Sequence, residues 1–197
     1  MDILVVGIGG NGQTYFMKYL EDKSFRINPH NDKGREKHMS CPTKIKANKK
    51  MCKIIYVYNN SFQSICSHYR RHWPVQQMNK ININNTCKIT NVEEYFSLTE
   101  NSGIDHFGCK DHFLRWYNYD CPNGIYFLNL SKLNKSELSN FLECDKSIFD
   151  DLTVFQRPLR KKYNNLEIKY PLSAIMYKNI DKLIDNNSLN INKKYAD

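Results

Sequence analysis

Short apolar runs alternate along the chain with segments in which apolar residues recur at helical spacing. Three almost wholly apolar runs, Asp2–Val6, Lys53–Tyr58 and residues 125–130, predict strands buried on both faces, as in a parallel sheet. A further short strand is predicted near residues 25–27. Helical spacing predicts helices over residues 14–20, 61–72, 92–98, 104–116, 135–142 and 172–184. This alternation predicts an α/β fold around a mainly parallel sheet.

No internal repeat and no clear linker interrupts the alternation. We therefore expect one domain over residues 1–185 and a flexible tail over residues 186–197. Apart from the helix near 92–98, residues 74–104 are rich in Asn and predict irregular structure.

Composition and charge indicate the kind of ligand rather than the reaction. Twenty-nine Lys and Arg residues against 20 Asp and Glu give a net charge of +9, which attracts anions such as phosphates, sulfates, nucleic acids and acidic glycans. No recognisable nucleic-acid-binding motif accompanies this charge, so nucleic acid is not the expected partner. No apolar stretch reaches the ~20 residues of a membrane span, and the N-terminus has no signal-peptide pattern. With seven Cys at irregular spacing and no CxxC pair, we expect a soluble cytoplasmic protein with free thiols.

The glycine-rich turn after the first strand is the clearest candidate site. Residues 7–12 match the dinucleotide-binding pattern G-x-G-x-x-G, and residues 7–14 match the nucleotide-binding P-loop pattern except that Gln13 replaces its lysine. Dinucleotide binding requires an acid about 20 residues onward after a second strand, whereas Asp32 follows Pro29-His30-Asn31. A P-loop NTPase also requires a strand that ends in Asp for magnesium, and no clear candidate is present. A purely structural turn is a further alternative.

A third functional interpretation depends on the segments that come after the glycine turn. Lys37-His38 lies in a loop, the strand Lys53–Tyr58 ends before Asn59, and the next helix carries Ser67 eight residues later. This order resembles the sulfotransferase family, which has a first loop of the form PKSGTT, a KTHLP segment, and a strand and helix of the form VYVARNPKDVAVSYY. Residues 10–14, 37–42 and 55–69 occupy the corresponding places here, and residues 124–133 (GIYFLNLSKL) resemble the family's strand with a YEDL-like turn.

The resemblance implies a P-loop three-layer sandwich that transfers a sulfuryl group from 3′-phosphoadenosine-5′-phosphosulfate to a hydroxyl of a sugar or small molecule. It implies that His38 is the base and Lys37 the cationic stabiliser. The 5′-phosphosulfate would bind to the first loop, at Gly9, Gly10, Asn11, Gly12, Gln13 and Thr14. The 3′-phosphate would bind to Asn59, Ser67 and a late basic loop with Arg157, Arg160 and Lys161. Arg70 and Arg71, one turn beyond Ser67, could supply the missing guanidinium.

Three departures from the family pattern concern these residues. Gly10 stands where the family has the loop lysine, Asn59 replaces the 3′-phosphate arginine, and residues 130–132 (LSK) replace Tyr-Glu-Asp. A catalytically inactive binding module therefore stays open as an alternative, beside the dinucleotide-binding and nucleotide-kinase-like interpretations. No metal is expected, because His106, Cys109 and His112, at a spacing of three on one helix, are hard to bring to a single ion.

Overall fold

The computed structural model describes residues 2–31, 36–45, 52–153, 163 and 165–192, the last four of these by their backbone alone. Within these ranges, four parallel strands form one sheet in the order β2-β1-β3-β4. The strands are β1 (Asp2–Val6), β2 (Arg26–Ile27), β3 (Lys53–Tyr58) and β4 (Ile125–Asn129). The predicted α/β class and the parallel sheet are confirmed.

Helices lie between and after these strands. Those in the described ranges are α1 (Gln13–Asp22), α2 (Ser61–Arg70), α3 (Pro74–Ile81), α4 (Val92–Ser102), α5 (Cys109–Tyr117), α6 (Lys135–Leu142), α7 (Leu166–Lys169) and α8 (Pro171–Asn192). Short 3₁₀ turns occur at Pro42–Lys44 and Lys146–Phe149. Of the helices described, none combines the length and the apolar character needed to cross a bilayer.

Side chains of the strands alternate between two buried layers, as the period of a strand requires. Val5, Val57 and Leu128 pack against α1 and α6 on one face of the sheet. Val6, Tyr56 and Phe127 pack on the other face, with residues of α2, α4, α5 and α8. Helices thus cover both faces, an arrangement consistent with a three-layer sandwich, and they account for the nearly continuous apolar sequence of β1, β3 and β4.

The strand order brings two β–α junctions together. β1 and β3 are neighbours, with Val6 opposite Tyr56, so the loops that follow both strands leave from the same edge of the sheet. β2 lies on the other side of β1, and the chain therefore winds away in opposite directions from this point. In doubly wound sheets such a switch point forms a crevice outside the carboxyl ends of the strands, where ligands bind.

β2 is short, and a side chain continues its pairing. The Asn28 side chain accepts a hydrogen bond from the Val5 amide at 2.7 Å and donates one to the Val5 carbonyl oxygen at 3.1 Å. The residue after β2 therefore binds the neighbouring strand, and it is not the acid that a dinucleotide-binding fold places there. Asp32 lies outside the described residues.

Several helices differ from their sequence-based predictions: α4 runs to Ser102 rather than residue 98, and α7 was not predicted. α3 begins at Pro74, a favourable first helical position, inside a segment predicted to be irregular. α5 begins at Cys109 rather than residue 104, because Asp105 accepts the backbone N–H groups of Gly108 and Lys110 and so caps the helix. α8 runs to Asn192, beyond the start of the predicted tail. Its buried face also differs from the predicted stripe, since Leu172 and Ile175 are exposed.

Candidate functional site

The glycine loop (residues 7–12) leads from β1 into α1 at the switch point. Gly12 forms the start of α1 in the left-handed region, at φ 89°, and no side chain caps the helix. The first turn of α1 also holds no acidic residue. The positive end of the α1 dipole, where the first amides have no acceptor within the helix, therefore faces no carboxylate from the helix itself.

Close packing explains why the loop is glycine-rich. A Cβ on Gly7 would lie 2.2 Å from the Val57 carbonyl oxygen of β3, and a Cβ on Gly9 would lie 2.6 Å from Cε1 of His38. Gly9 also has φ +80°, a conformation that only glycine adopts without strain. The loop therefore approaches both the neighbouring strand and an imidazole ring more closely than any other residue allows.

Side-chain donors hold the carbonyl groups of the glycine loop. His38 Nδ1 lies 3.0 Å from the Gly7 oxygen, while His68 Nε2 and Gln77 Nε2 lie 3.1 and 3.0 Å from the Ile8 oxygen. A carbonyl oxygen only accepts, so both imidazoles donate here. In a trans peptide the next N–H points opposite to the carbonyl, so the amide of Gly9 points away from His68 and Gln77.

Two buried amide side chains, in the glycine loop and at the start of α1, donate hydrogen bonds to nearby backbone carbonyl groups. Asn11 donates to the Val57 carbonyl at 2.9 Å, and Gln13 donates to the carbonyl oxygens of Lys37 and Val5 at 2.9 and 3.4 Å. Asn11 and Gln13 of the predicted phosphate loop thus act on the protein's own backbone through their amide nitrogens.

Lys37 reaches the start of α1 from a separate loop. Its side chain is buried, and its Nζ lies 2.5 Å from Thr14 Oγ1 and 3.0 Å from the His30 carbonyl oxygen. Thr14 is the second residue of α1. The P-loop pattern lacks its lysine at Gln13, yet an ammonium group from elsewhere in the chain lies at the N-terminus of the same helix.

His38 is a neutral imidazole with one defined tautomer. Burial lowers the pKa of His38 well below its usual range. The Gly7 hydrogen bond opposes this effect, and electrostatic repulsion from His68, Lys37 and Lys80 adds to it. Because Nδ1 carries the proton that is donated to Gly7, Nε2 carries the lone pair. A neutral ring with a free lone pair is the form that a general base requires.

A second histidine, His68, contacts the same loop and was not predicted. Burial, with the nearby Arg71, lowers the pKa of His68 to about 4, so this ring is also neutral at pH 7. The sequence held one signal for it, since it follows Ser67 on a predicted helix. Gln77 gave no signal, because α3 itself was not predicted.

The second junction, after β3, already holds a carboxylate of the chain. Both carboxylate oxygens of Asp181, on α8, accept the Ser61 amide at 3.0 and 3.1 Å, and Ser61 Oγ donates to one of them at 2.6 Å. Burial raises the pKa of Asp181 to about 6. The first amide of α2 is therefore bound to a residue 120 positions away, and an external anion would have to compete for it.

Two of the residues predicted to hold a 3′-phosphate, Asn59 and Ser67, have hydrogen-bond partners within the protein. Asn59 Oδ1 accepts the Asn60 amide at 2.9 Å and the Ser131 hydroxyl at 3.3 Å, which links the ends of β3 and β4. Ser67 is buried two turns into α2, with its hydroxyl 3.5 Å from an Arg70 guanidinium nitrogen. Arg157, Arg160 and Lys161 lie outside the described residues.

The structure thus brings together one group of the predicted residues. Lys37 and His38 meet the first loop, whose predicted ligands are Gly9, Gly10, Asn11, Gly12, Gln13 and Thr14. Ser67 precedes His68, which contacts this loop, whereas Asn59 lies at the end of β3 beside Ser131. Comparison with known proteins adds no family: the chain matches no protein-family model, no curated protein and no solved structure.

Proposed function

We propose that the glycine loop and the N-terminus of α1 bind the phosphosulfate group of a nucleotide sulfate donor, for transfer of its sulfuryl group to a hydroxyl. The observation that carries this proposal is the Lys37 ammonium at Thr14, on an uncapped helix end beside the neutral His38. Helix amides and a buried cation together favour a doubly charged oxyanion. The overall charge of +9 acts in the same direction.

His38 and Lys37 have distinct roles in this reaction. The acceptor hydroxyl oxygen attacks sulfur while His38 Nε2 takes the hydroxyl proton. The bond between sulfur and the bridging phosphate oxygen breaks, and 3′-phosphoadenosine 5′-phosphate leaves with the electron pair. Lys37 and the amides of α1 stabilise the negative charge that develops on that phosphate. The low pKa of His38 favours rapid loss of the proton to solvent after transfer.

Calorimetric titration with adenosine 3′,5′-bisphosphate, the product of this reaction, tests the site without any knowledge of the acceptor. We expect wild-type protein to bind it and Lys37→Met to bind it roughly 10- to 100-fold more weakly, as loss of a charge-assisted hydrogen bond predicts. Lys18→Met is the matched control, because Lys18 is exposed on α1. Absence of binding to wild-type protein, or an equal loss in both variants, contradicts the proposal.

His38→Ala separates an enzyme from an inactive binding module. In an enzyme the variant keeps its affinity for adenosine 3′,5′-bisphosphate but loses transfer of labelled sulfate in a screen of hydroxyl acceptors. A wild-type protein that binds the bisphosphate and transfers no label to any acceptor is the binding module instead.

The glycine pattern favours one second candidate, a dinucleotide-binding protein. Residues 7–12 match G-x-G-x-x-G after β1, and the order β2-β1-β3-β4 places this loop at a switch point where doubly wound folds bind their ligands. Asn28 stands after β2, where such folds have their ribose-binding acid. Titration with NADH in parallel decides between the two, since the sulfate-donor proposal predicts no binding of NADH.

A further inference from the structure

The base loop (residues 36–45) is fixed to the rest of the protein through its backbone carbonyl groups. The Lys37 carbonyl oxygen accepts the Gly7 amide at 3.1 Å and Gln13 Nε2 at 2.9 Å. Two residues later, the Met39 carbonyl oxygen accepts His112 Nε2 at 2.9 Å and Trp116 Nε1 at 3.3 Å. His38 thus lies between two carbonyl groups that are each held by two donors.

The donors on the far side of His38 all come from one face of α5. His112 and Trp116 are fully buried, and their ring N–H groups meet at the single Met39 oxygen. His112 Nδ1 in turn accepts the Tyr56 hydroxyl of β3 at 2.8 Å, which sets its tautomer. Burial lowers the pKa of His112 to about 3, so the ring remains a neutral donor to Met39 at any ordinary pH.

Arg115 connects the base loop to the helix that holds the glycine loop. Its Nε donates to the Ser40 carbonyl oxygen at 2.7 Å, and its Nη2 donates to the Ile81 carbonyl oxygen at 2.5 Å. Ile81 is the last residue of α3, and Gln77 on the same helix binds the Ile8 carbonyl of the glycine loop. One planar guanidinium therefore binds the base loop directly and the glycine loop through α3. The fixed geometry of its donors suits it to such a bridge.

We propose that α5 is the positioning element of the site, in which Arg115, His112 and Trp116 hold the base loop so that the His38 imidazole stays on the Gly7 carbonyl. None of the three residues touches the proposed ligand site, so they act through His38. The role of His38 as base rests on the proposed function; the positioning of its ring by α5 does not.

Histidine NMR spectra of the ligand-free protein test the positioning directly. In wild-type protein we expect His38, assigned from the spectrum of His38→Gln, to remain the neutral Nδ1–H tautomer at pH values at which an exposed imidazole already takes up a proton. In Arg115→Met the base loop loses a charged donor, so we expect both tautomers and a pKa raised by roughly one unit or more as water reaches the ring. The neighbours that lower the pKa of His38, namely His68, Lys37 and Lys80, are unchanged in this variant.

Two further variants keep the test decisive. Lys110→Met makes the same kind of change on an exposed residue of α5 and should leave the His38 spectrum as in wild type. Trp116→Phe retains an aromatic ring but removes the N–H donor to Met39, and it should alter the His38 tautomer even if Arg115→Met fails to fold. The proposal is overturned if the His38 tautomer and pKa are unchanged in the folded variants, or if Lys110→Met changes them as much.

Binding and turnover separate this inference from the proposed function. Should wild-type protein not bind adenosine 3′,5′-bisphosphate while Arg115→Met still disturbs His38, the proposed function fails and the positioning stands. In a protein that transfers sulfate, we expect Arg115→Met to lower kcat about tenfold and to change the bisphosphate affinity less than about threefold, since a misplaced base affects the transfer step.

Discussion

At the scale of single residues, the candidate site depends on how closely two neutral imidazoles approach Gly9. A Cβ at this position would lie 2.6 Å from Cε1 of His38 and 3.1 Å from Cε1 of His68. Both rings donate to carbonyl groups of the same loop, at Gly7 and Ile8. A small change at Gly9 therefore acts on the base and on the loop together.

Gly9→Ala is expected to displace His38 from the Gly7 carbonyl. The alanine would have to adopt φ +80° and push against the imidazole, at a cost of roughly 2 to 4 kcal/mol in the free energy of unfolding. Chemical denaturation measures this cost. Gly103→Ala isolates the backbone part, because Gly103 has φ +66° with nothing within 4 Å of its Cβ, and it should lose only about 1 kcal/mol. Equal losses of stability in the two variants would show that the His38 ring moves away from the new Cβ at no measurable cost.

Asp181 makes a second prediction at this scale, about pH. Burial raises the pKa of Asp181 to about 6, above the value expected in the unfolded chain. Between about pH 4 and pH 6, Asp181 is therefore protonated in the folded state and ionised in the unfolded chain. The contribution of Asp181 to stability is therefore greatest below pH 4 and declines as the pH rises to 6. Asp181→Asn removes this titration. Relative to the variant, wild-type protein should lose roughly 2 kcal/mol between pH 4 and pH 7 in denaturation experiments. Parallel pH profiles would contradict the assignment.

At the scale of secondary-structure elements, Asn residues begin several helices. The side chains of Asn60, Asn91 and Asn134 each accept amide groups in the first turn of α2, α4 and α6. α1 differs, because Gly12 supplies no side-chain cap. The helix whose N-terminus faces the proposed ligand thus has no side-chain cap at its first residue, whereas these three helices have an Asn side chain that accepts their first amides.

Removal of these caps should lower stability and leave the ligand site intact. Asn91→Ala and Asn134→Ala are each expected to lose about 1 kcal/mol in thermal or chemical unfolding. Binding of adenosine 3′,5′-bisphosphate should be unchanged in both. Asn84→Ala, in an exposed turn, is the control and should stay within about 0.5 kcal/mol of wild type. A loss of binding in either cap variant would indicate that the site depends on the general stability of the helices.

At the scale of the whole molecule, the two helical layers bury most of the thiols. All seven cysteines are thiols rather than disulfides; Cys52, Cys66, Cys87 and Cys109 are buried, while Cys41, Cys121 and Cys144 are partly accessible. Partial burial of Cys41 raises the pKa of its thiol. Contacts with the Thr43 and Ser40 hydroxyls outweigh this effect and hold the pKa of Cys41 below its usual value. Burial raises the pKa values of Cys121 and Cys144.

Thiol labelling should therefore occur in three stages. We expect Cys41 to react first with a disulfide reagent, because its thiolate is the most populated, and Cys121 and Cys144 to follow. The four buried thiols should react only as the protein unfolds, and a reductant should not change the melting temperature. Mass spectrometry of timed samples identifies each site. Early labelling of Cys66 or Cys109 would be incompatible with this packing.

The local pattern of the sequence determined most of the elements and the class of the fold. Continuous apolar runs predicted β1, β3 and β4 and their parallel arrangement, because only strands covered on both faces lack polar alternation. The glycine turn and its position before α1 were also predictable, since such turns impose local backbone requirements. α3 was missed despite the helical spacing of Pro74, Gln77, Met78 and Ile81, because the surrounding Asn residues suggested a loop.

Only the tertiary structure decided which side chains meet across the sheet edge. Lys37 reaches Thr14 from 23 residues away, and Asp181 reaches Ser61 from 120 residues away. Neither contact leaves a periodic signal, because periodicity records which residues are buried and not what they face. The sequence thus determined a helix N-terminus suited to an anion. The packing of distant segments decided that a lysine and a neutral histidine lie beside the N-terminus of α1, and that a carboxylate binds the N-terminus of α2.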